Sequence, residues 1–186
     1  MIVVEGPDGS GKTGLVESIV DQFGAELIPR AVNSGMDYTT DLCVWTENSI
    51  NRGNGLYVYD RHQLISHLMY GPTIRRQLYG YFQDPVWLKD RLEKFWKLEP
   101  IVIVCLPPLE TVIANVKTDD TSKKALPDIE VFWWNYYIWY CQNYKRPYVS
   151  RYDYTTTTWD GGSAKDITLR MIEAYLYVKG VMRDDG

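Results

Sequence analysis

A glycine-rich turn near the amino terminus constrains this chain more than any other feature of its sequence. The turn has the pattern G-x-x-x-x-G-K-T and lies between the apolar run Ile2-Val3-Val4 and a helical pattern from Leu15 to Phe23. Glycines let successive backbone N–H groups point at an anion, and the helix start adds the positive end of its dipole. The turn consists of Gly6, Pro7, Asp8, Gly9, Ser10, Gly11, Lys12 and Thr13.

The last two residues of this turn have specific predicted roles at a nucleoside triphosphate. We expect Lys12 to reach the β and γ phosphates and the hydroxyl of Thr13 to ligate Mg²⁺. The backbone of Gly6 to Thr13 would surround the other phosphate oxygens. The motif therefore predicts ATP and Mg²⁺ as cofactors.

Apolar runs typical of strands alternate with amphipathic helical patterns along the chain. Ile101 to Leu106 is the clearest strand, and apolar and aromatic residues recur at helical spacing from Ile129 to Tyr144. This alternation predicts an α/β protein with the three-layer P-loop NTPase fold, in which helices cover both faces of a parallel sheet of about five strands. We expect a single domain over 1–186, with a mobile lid segment at about 117–128.

The charge of the chain argues against extended nucleic acid as its main ligand. The sequence has 20 Lys and Arg against 24 Asp and Glu, a net charge of −4, and no basic block. Proteins that hold long nucleic acids usually carry a basic patch or stripe. No apolar run approaches the roughly 20 residues of a membrane-spanning helix. We expect a cytoplasmic protein that acts on a small molecule and does not bind a membrane.

A second polar cluster, Asp60-Arg61, follows the predicted strand from Leu56 to Tyr59. Ligands of parallel α/β sheets bind at the carboxyl ends of the strands. In P-loop enzymes an Asp at a strand end holds Mg²⁺, usually through water. Arg61 is suited to bind an anionic acceptor with two parallel hydrogen bonds. An ion pair in a surface turn is the alternative, but the neighbouring phosphate loop favours a catalytic role for both residues.

Two motifs of the sequence resemble those of the thymidylate kinase family. Residues 4–13 resemble its amino-terminal E-G-x-D-G-x-G-K-T, and Asp60-Arg61-His62 resembles its D-R-[YFH] motif. Ser66, the strand region from Pro100 to Pro108, and Tyr152-Asp153 follow in the family's order, so the resemblance covers nearly the whole chain. It implies transfer of the γ-phosphoryl group of ATP to a deoxynucleoside monophosphate.

The resemblance also implies roles for individual residues at the acceptor. Asp8 would approach the acceptor sugar, Asp60 would lie near Mg²⁺, and Arg61 would lie near the acceptor phosphate. Arg30 follows the second predicted strand, within about one residue of the place where the family has another phosphate-binding arginine. The resemblance thus predicts an acceptor site built around arginine and aspartate side chains.

The chain departs from the family in the cation that completes the transition state. The family supplies an arginine from the phosphate loop or from the lid, whereas this loop has a serine and segment 117–128 has no arginine. Charge at the transferring phosphoryl group is the main quantity that such enzymes stabilise. Lys123 or Lys124 is our candidate for this cation, although lysine lacks the planar fork of arginine. Arg146 and Arg151 are the alternatives.

The region expected to bind the acceptor base differs from the family as well. The family's Tyr-Gln pair after the D-R motif corresponds here to Met69-Tyr70-Gly71. Tyr70 is therefore a predicted substrate contact, and Trp45 either stacks on the acceptor base or packs in the core. The aromatic stripe from Phe132 to Tyr144 is predicted to be mainly core and leaves room for a homodimer interface. These differences leave the acceptor base open.

Two other functions compete with a monophosphate kinase. One is a kinase that acts on an unphosphorylated hydroxyl of a deoxynucleoside, a modified base or a polynucleotide end. A nucleoside kinase needs a general base, commonly a Glu after the second strand, but that place reads Ile28-Pro29-Arg30-Ala31. The arginine favours a charged acceptor. The other is a nucleotide-binding module without catalysis, which the missing lid arginine supports.

Overall fold

The computed structural model describes residues 1–28, 44, 46–53, 55–73, 84–120, 122–157 and 161–182. The strands are β1 (Ile2–Glu5), β2 (Glu26–Ile28), β3 (Tyr57–Asp60), β4 (Ile101–Cys105) and β5 (Val149–Tyr152). The α-helices are α1 (Lys12–Phe23), α2 (Gln63–Tyr70), α3 (Pro85–Lys97), α4 (Leu109–Thr118), α5 (Ile129–Asn143) and α6 (Ala164–Val178). A 3₁₀-helix (Lys123–Asp128) precedes α5.

The five strands form one parallel sheet in the order β2-β3-β1-β4-β5. The predicted α/β fold class is therefore confirmed. β1 lies at the centre, and its Val4 pairs with Asp60 of β3 while its Glu5 pairs with Val104 of β4. Because all strands run the same way, the phosphate loop and the Asp60-Arg61 cluster emerge at the same carboxyl edge.

Alternate residues of the strands face two apolar layers. Val3, Val102 and Val104 contribute to one layer, which α2, α3, α4 and α5 cover. Ile2 and Val4 contribute to the opposite layer, which α1 and α6 cover. Helices on both faces explain why β1 and β4 are apolar on both sides, as expected for a doubly covered parallel sheet.

Segment 117–128, which its polar sequence predicts to be a mobile lid, contains regular structure in its described residues. α4 continues through Thr118, and Lys123–Asp128 forms a 3₁₀-helix that packs against α4 and α5. Ala125 within it is buried. Charged residues dominate the segment, but its alanine and leucine are enough to attach it to the core.

The aromatic stripe on α5 is confirmed as mainly core, with one departure. Ile129, Phe132 and Tyr136 are buried at 0–2% exposure, whereas Cys141 and Tyr144 at the end of the stripe are exposed. Among the described residues, no helix has both the length and the apolar character needed to cross a bilayer.

Candidate active site

The phosphate loop connects β1 to α1, and glycines determine its shape, as Gly6 and Gly11 illustrate. Gly6 has φ 142°, and a Cβ there would lie 2.5 Å from the carbonyl oxygen of Cys105. Gly11 has φ 81°, occupies the position that caps α1, and would place a Cβ 2.7 Å from the ring of Tyr154. These crowded positions accept only glycine. As a result, the loop backbone and the start of α1 form a cradle suited to an anion.

Lys12, at the first position of α1, is 5% exposed and turns its ammonium back into the loop. Its Nζ donates to the carbonyl oxygen of Pro7 at 2.5 Å and to the hydroxyl of Ser10 at 3.3 Å. Burial, assisted by the positive charge of Arg61, lowers the pKa of Lys12 to about 7. A bound anion would therefore favour the protonated form.

Arg61 has a left-handed backbone conformation, with φ 69°, at the junction between β3 and α2. Such a conformation costs a non-glycine residue on the order of 1–3 kcal/mol and is characteristic of functional sites. The kink turns the guanidinium over the phosphate loop. Its Nε and Nη2 donate to the carbonyl oxygen of Gly6, each at 3.1 Å, and Nη2 also donates to Asp8 Oδ1 at 2.8 Å.

Tyr70, a predicted substrate contact, lies behind Arg61. It is 5% exposed, and its hydroxyl accepts a hydrogen bond from Arg61 Nη2 at 2.7 Å. Its ring centroid lies 4.3 Å from that of Phe132 on α5. The structure therefore gives Tyr70 a supporting contact to Arg61, and contact with a substrate remains a prediction.

Asp60 and Thr13, the predicted metal ligands, flank the loop. Asp60 ends β3 and pairs with Val4 of β1, which precedes Gly6 by two residues. Thr13 lies in the first turn of α1 and is exposed. The negative charges of Asp8 and Asp60 raise the pKa of Lys12 and partly oppose the effect of its burial. Among the described residues, no group of three or more His, Cys, Asp or Glu side chains could hold a metal ion without another ligand source.

Glu5 matches the glutamate of the amino-terminal motif, but the sequence interpretation assigned it no role in the site. It ends β1 with 0% exposure, and its Oε1 accepts from the backbone N–H of His62 at 2.6 Å. Its Oε2 accepts from the hydroxyl of Tyr136 on α5 at 2.8 Å. Burial raises the pKa of Glu5 to about 7. A carboxylate inside an otherwise apolar strand was a signal that could have identified it.

His62 holds the start of α2 and is a neutral structural residue. Its Nδ1 accepts from the backbone N–H of Leu64 at 3.3 Å, and its Nε2 lies 2.9 Å from the hydroxyl of Ser49. The acceptor role of Nδ1 places the proton on Nε2. Burial lowers the pKa of His62 to about 3, so it stays uncharged at physiological pH.

Two further residues contact the loop from distant parts of the chain. Asn115 on α4 donates through Nδ2 to the carbonyl oxygen of Gly9 at 2.8 Å and to the hydroxyl of Tyr154 at 2.6 Å. The Tyr154 ring lies over Gly11. Neither residue belongs to a recognisable motif, so the sequence offered no signal for them.

The remaining predicted site residues are only partly described. Arg30 and Trp45 lie outside the described residues, as do the side chains of Lys123 and Lys124, whose backbones belong to the 3₁₀-helix. Of the alternatives to the lysines, Arg151 donates through Nε and Nη2 to the carbonyl oxygen of Leu106 near the carboxyl edge. Its position is therefore compatible with the site.

Arg146 does not belong to this site. It precedes β5 and so lies at the amino edge of the parallel sheet, opposite the phosphate loop. Its guanidinium carbon lies 4.4 Å from the ring centroid of Trp96 on α3. The alternative role of Arg146 as the transition-state cation is therefore wrong.

Comparisons with solved structures agree with this architecture. A deoxyadenosine kinase from M. mycoides with bound dCTP aligns at a TM-score of 0.58 and 18% identity, over 94% of this chain and 100% of that chain. The YorR protein of Bacillus subtilis, in complex with phosphorylated GDP, aligns at 0.63 and 14%, over 95% of this chain and 97% of that one. No protein-family model and no curated protein matches the sequence. At these identities the likeness shows a shared fold alone, and the thymidylate kinase resemblance rests on the sequence motifs.

Replacement of Glu5 by Gln tests the buried carboxylate. Because the pKa of Glu5 is raised from 4.5 to about 7, the folded protein holds a proton that the unfolded chain releases in this range. The protonated Glu5 therefore stabilises the folded state. Its contribution to the free energy of unfolding is complete below about pH 4.5 and is lost as the pH rises through about 7. We expect Glu5→Gln to remove a decline on the order of 3 kcal/mol.

Urea unfolding of both proteins between pH 4.5 and 8 measures this difference. Glu17→Gln, an exposed substitution on α1, is the matched control and should leave the decline unchanged. Parallel pH profiles for the wild type and Glu5→Gln would contradict the assignment.

Proposed function

We propose that this protein transfers the γ-phosphoryl group of ATP to a deoxynucleoside monophosphate, in the manner of thymidylate kinases. The observation that carries the proposal is the position of Arg61. Its guanidinium is bound to Gly6 and Asp8 of the phosphate loop itself, on the same edge of the sheet as Lys12. The cation proposed to bind an acceptor phosphate thus lies beside the loop proposed to bind the donor triphosphate.

The donor site is supported by the loop geometry. The left-handed glycines and the start of α1 offer backbone N–H groups, and Lys12 has a hydrocarbon stem buried against the loop. With a triphosphate present, Lys12 would exchange the Pro7 carbonyl for phosphate oxygens. Because the pKa of Lys12 is about 7, this exchange would be coupled to proton uptake.

The acceptor site is supported by the surroundings of Arg61. Its side chain is 11% exposed, so the guanidinium is held by Asp8 and Tyr70 with little freedom to move. A buried arginine fork in a fixed orientation recognises a phosphate better than a neutral hydroxyl. Asp8 is 26% exposed, and we assign it a contact with the acceptor sugar in addition to its ion pair with Arg61.

The donor set near the loop fits Mg²⁺. Thr13 and Asp60 would hold the ion, since hydroxyl and carboxylate oxygens are the ligands that magnesium prefers, with phosphate and water completing the shell. Bound magnesium supplies charge neutralisation at the transferring phosphoryl group.

The remaining predicted residues complete the proposal. We assign the transition-state cation to Lys123 or Lys124 because both precede α5 at the lid position, with Arg151 as the alternative. We assign a second acceptor-phosphate contact to Arg30 and a base contact to Trp45 or Tyr70. The alternative acceptors are a deoxynucleoside, a modified base or a polynucleotide end. Measured activity with these acceptors distinguishes them from a deoxynucleoside monophosphate.

Lys12→Ala tests the donor site. Loss of the ammonium should lower the rate of phosphoryl transfer at least about 100-fold, because charge stabilisation at the phosphoryl group is lost. The measurement is ADP release with ATP, Mg²⁺ and a panel of monophosphates. Lys165→Ala, an exposed lysine on α6, is the control and should keep wild-type activity. Full activity of Lys12→Ala would contradict the donor assignment.

Arg61→Ala tests the acceptor class. We expect the KM for a monophosphate acceptor to rise about 10- to 100-fold while ATP affinity changes less than about threefold, since charged hydrogen bonds contribute about 1.5–3 kcal/mol. Arg61→Lys should recover only part of the loss because lysine lacks the fork. The control is Arg170→Ala on the exposed side of α6.

The acceptor assignment would fail if Arg61→Ala retained ATP binding and had unchanged kinetics toward every monophosphate. Retained ATP binding shows that the variant is folded, so this result would remove Arg61 from the acceptor site. Activity of the wild-type protein with nucleosides alone would favour a nucleoside kinase.

A further inference from the structure

Two side chains from separate elements meet at the phosphate loop and bind each other there. Asn115 lies on α4, and Tyr154 follows the end of β5 by two residues. The Nδ2 atom of Asn115 lies 2.8 Å from the carbonyl oxygen of Gly9 and 2.6 Å from the hydroxyl oxygen of Tyr154. An amide NH₂ group has two hydrogens, so it can make both bonds at once. This pair of residues is hereafter the Asn115–Tyr154 bridge.

The bridge fixes the direction of one peptide group in the loop. A carbonyl oxygen only accepts, so the nitrogen of the Asn115 amide has to face Gly9. In a planar trans peptide the C=O and the N–H point in opposite directions. The Gly9–Ser10 peptide is trans, so the N–H of Ser10 is turned away from α4. Because N–H groups of such loops are the donors to a bound anion, Asn115 orients part of the anion site.

The bridge also restricts two glycines that would otherwise be mobile. Gly9 and Gly11 have φ values of 74° and 81°, in the left-handed region. An unrestrained glycine adopts positive and negative φ about equally readily. A Cβ at Gly9 would lie 2.8 Å from Val116 Cγ2 on α4, and one at Gly11 would lie 2.7 Å from the ring of Tyr154. Close packing from both sides therefore holds the loop where the glycines alone would not.

On the basis of the donor site proposed above, we propose that Asn115 and Tyr154 are positioning residues for the donor triphosphate. The bridge keeps the loop from Gly9 to Gly11 in its anion-binding conformation before the ligand arrives. Without it, the triphosphate would have to order the loop on binding, and this cost would weaken the affinity. Arg61 is held by other contacts, to the Gly6 carbonyl oxygen and to Asp8. The effect should therefore fall on the donor.

Variants of the full chain test whether the bridge acts on the loop and on the donor. Asn115→Ala removes both hydrogen bonds, whereas Tyr154→Phe removes the hydroxyl and keeps the ring on Gly11. We expect the Kd for ATP with Mg²⁺ to rise about 3- to 10-fold in Asn115→Ala and about 2-fold in Tyr154→Phe, the range for one or two neutral hydrogen bonds. Amide hydrogen exchange of residues 6–13 without ATP should become faster in Asn115→Ala.

Two matched controls carry the same chemical changes at the end of α5. Asn143→Ala and Tyr144→Phe should leave both the Kd for ATP and the exchange of the loop unchanged. Circular dichroism establishes that each variant is folded.

A double variant tests whether the two residues act as one unit. Asn115→Ala combined with Tyr154→Phe should raise the Kd for ATP no further than Asn115→Ala alone, because the bond to the hydroxyl is already lost. Additive effects, an unchanged Kd in Asn115→Ala, or wild-type exchange of its loop would overturn the proposal. A wild type that binds ATP without transferring phosphate would contradict the proposed function instead, because binding and exchange require no acceptor.

Discussion

The hydrogen bond from the His62 backbone N–H to the buried carboxyl group of Glu5 is the contact on which the site depends. It joins the ends of β1 and β3 immediately after the left-handed turn at Arg61. Tyr136 donates to the other carboxyl oxygen and so attaches α5 to the same point. Removing such a partner leaves a buried polar group unsatisfied, which costs about 1–3 kcal/mol or more for a charged group. The orientation of Arg61 follows from this junction.

Two basic side chains, Arg61 and Lys12, lie beside the phosphate loop. Arg61 is paired with Asp8, and Lys12 satisfies its ammonium with loop oxygens while burial holds its pKa at about 7. Phosphate oxygens would stabilise the protonated lysine. The proposed donor site would therefore need little rearrangement to accept a triphosphate, as electrostatic preorganisation for phosphoryl transfer requires.

The sequence was sufficient for features encoded locally and insufficient for those that depend on distant contacts. The spacing within the phosphate loop and the alternation of strands and helices predicted the fold and the position of Lys12. Tyr136 reaches Glu5 across 131 residues, and Asn115 reaches Gly9 across 106. No periodicity or motif encodes such pairs, because the topology of the sheet brings them together. Likewise, the polar composition of segment 117–128 did not predict the 3₁₀-helix, which a few apolar contacts hold in place.

The most direct test of the central claim is an ADP-release screen of the wild-type protein. ATP and Mg²⁺ would be supplied with each deoxynucleoside and ribonucleoside monophosphate, with the free nucleosides, and with short DNA carrying a 5′-hydroxyl. The account predicts stoichiometric ADP and a nucleoside diphosphate with at least one deoxynucleoside monophosphate, and background release with nucleosides and DNA. Tight ATP binding without ADP release for any acceptor, or release with nucleosides alone, would contradict it.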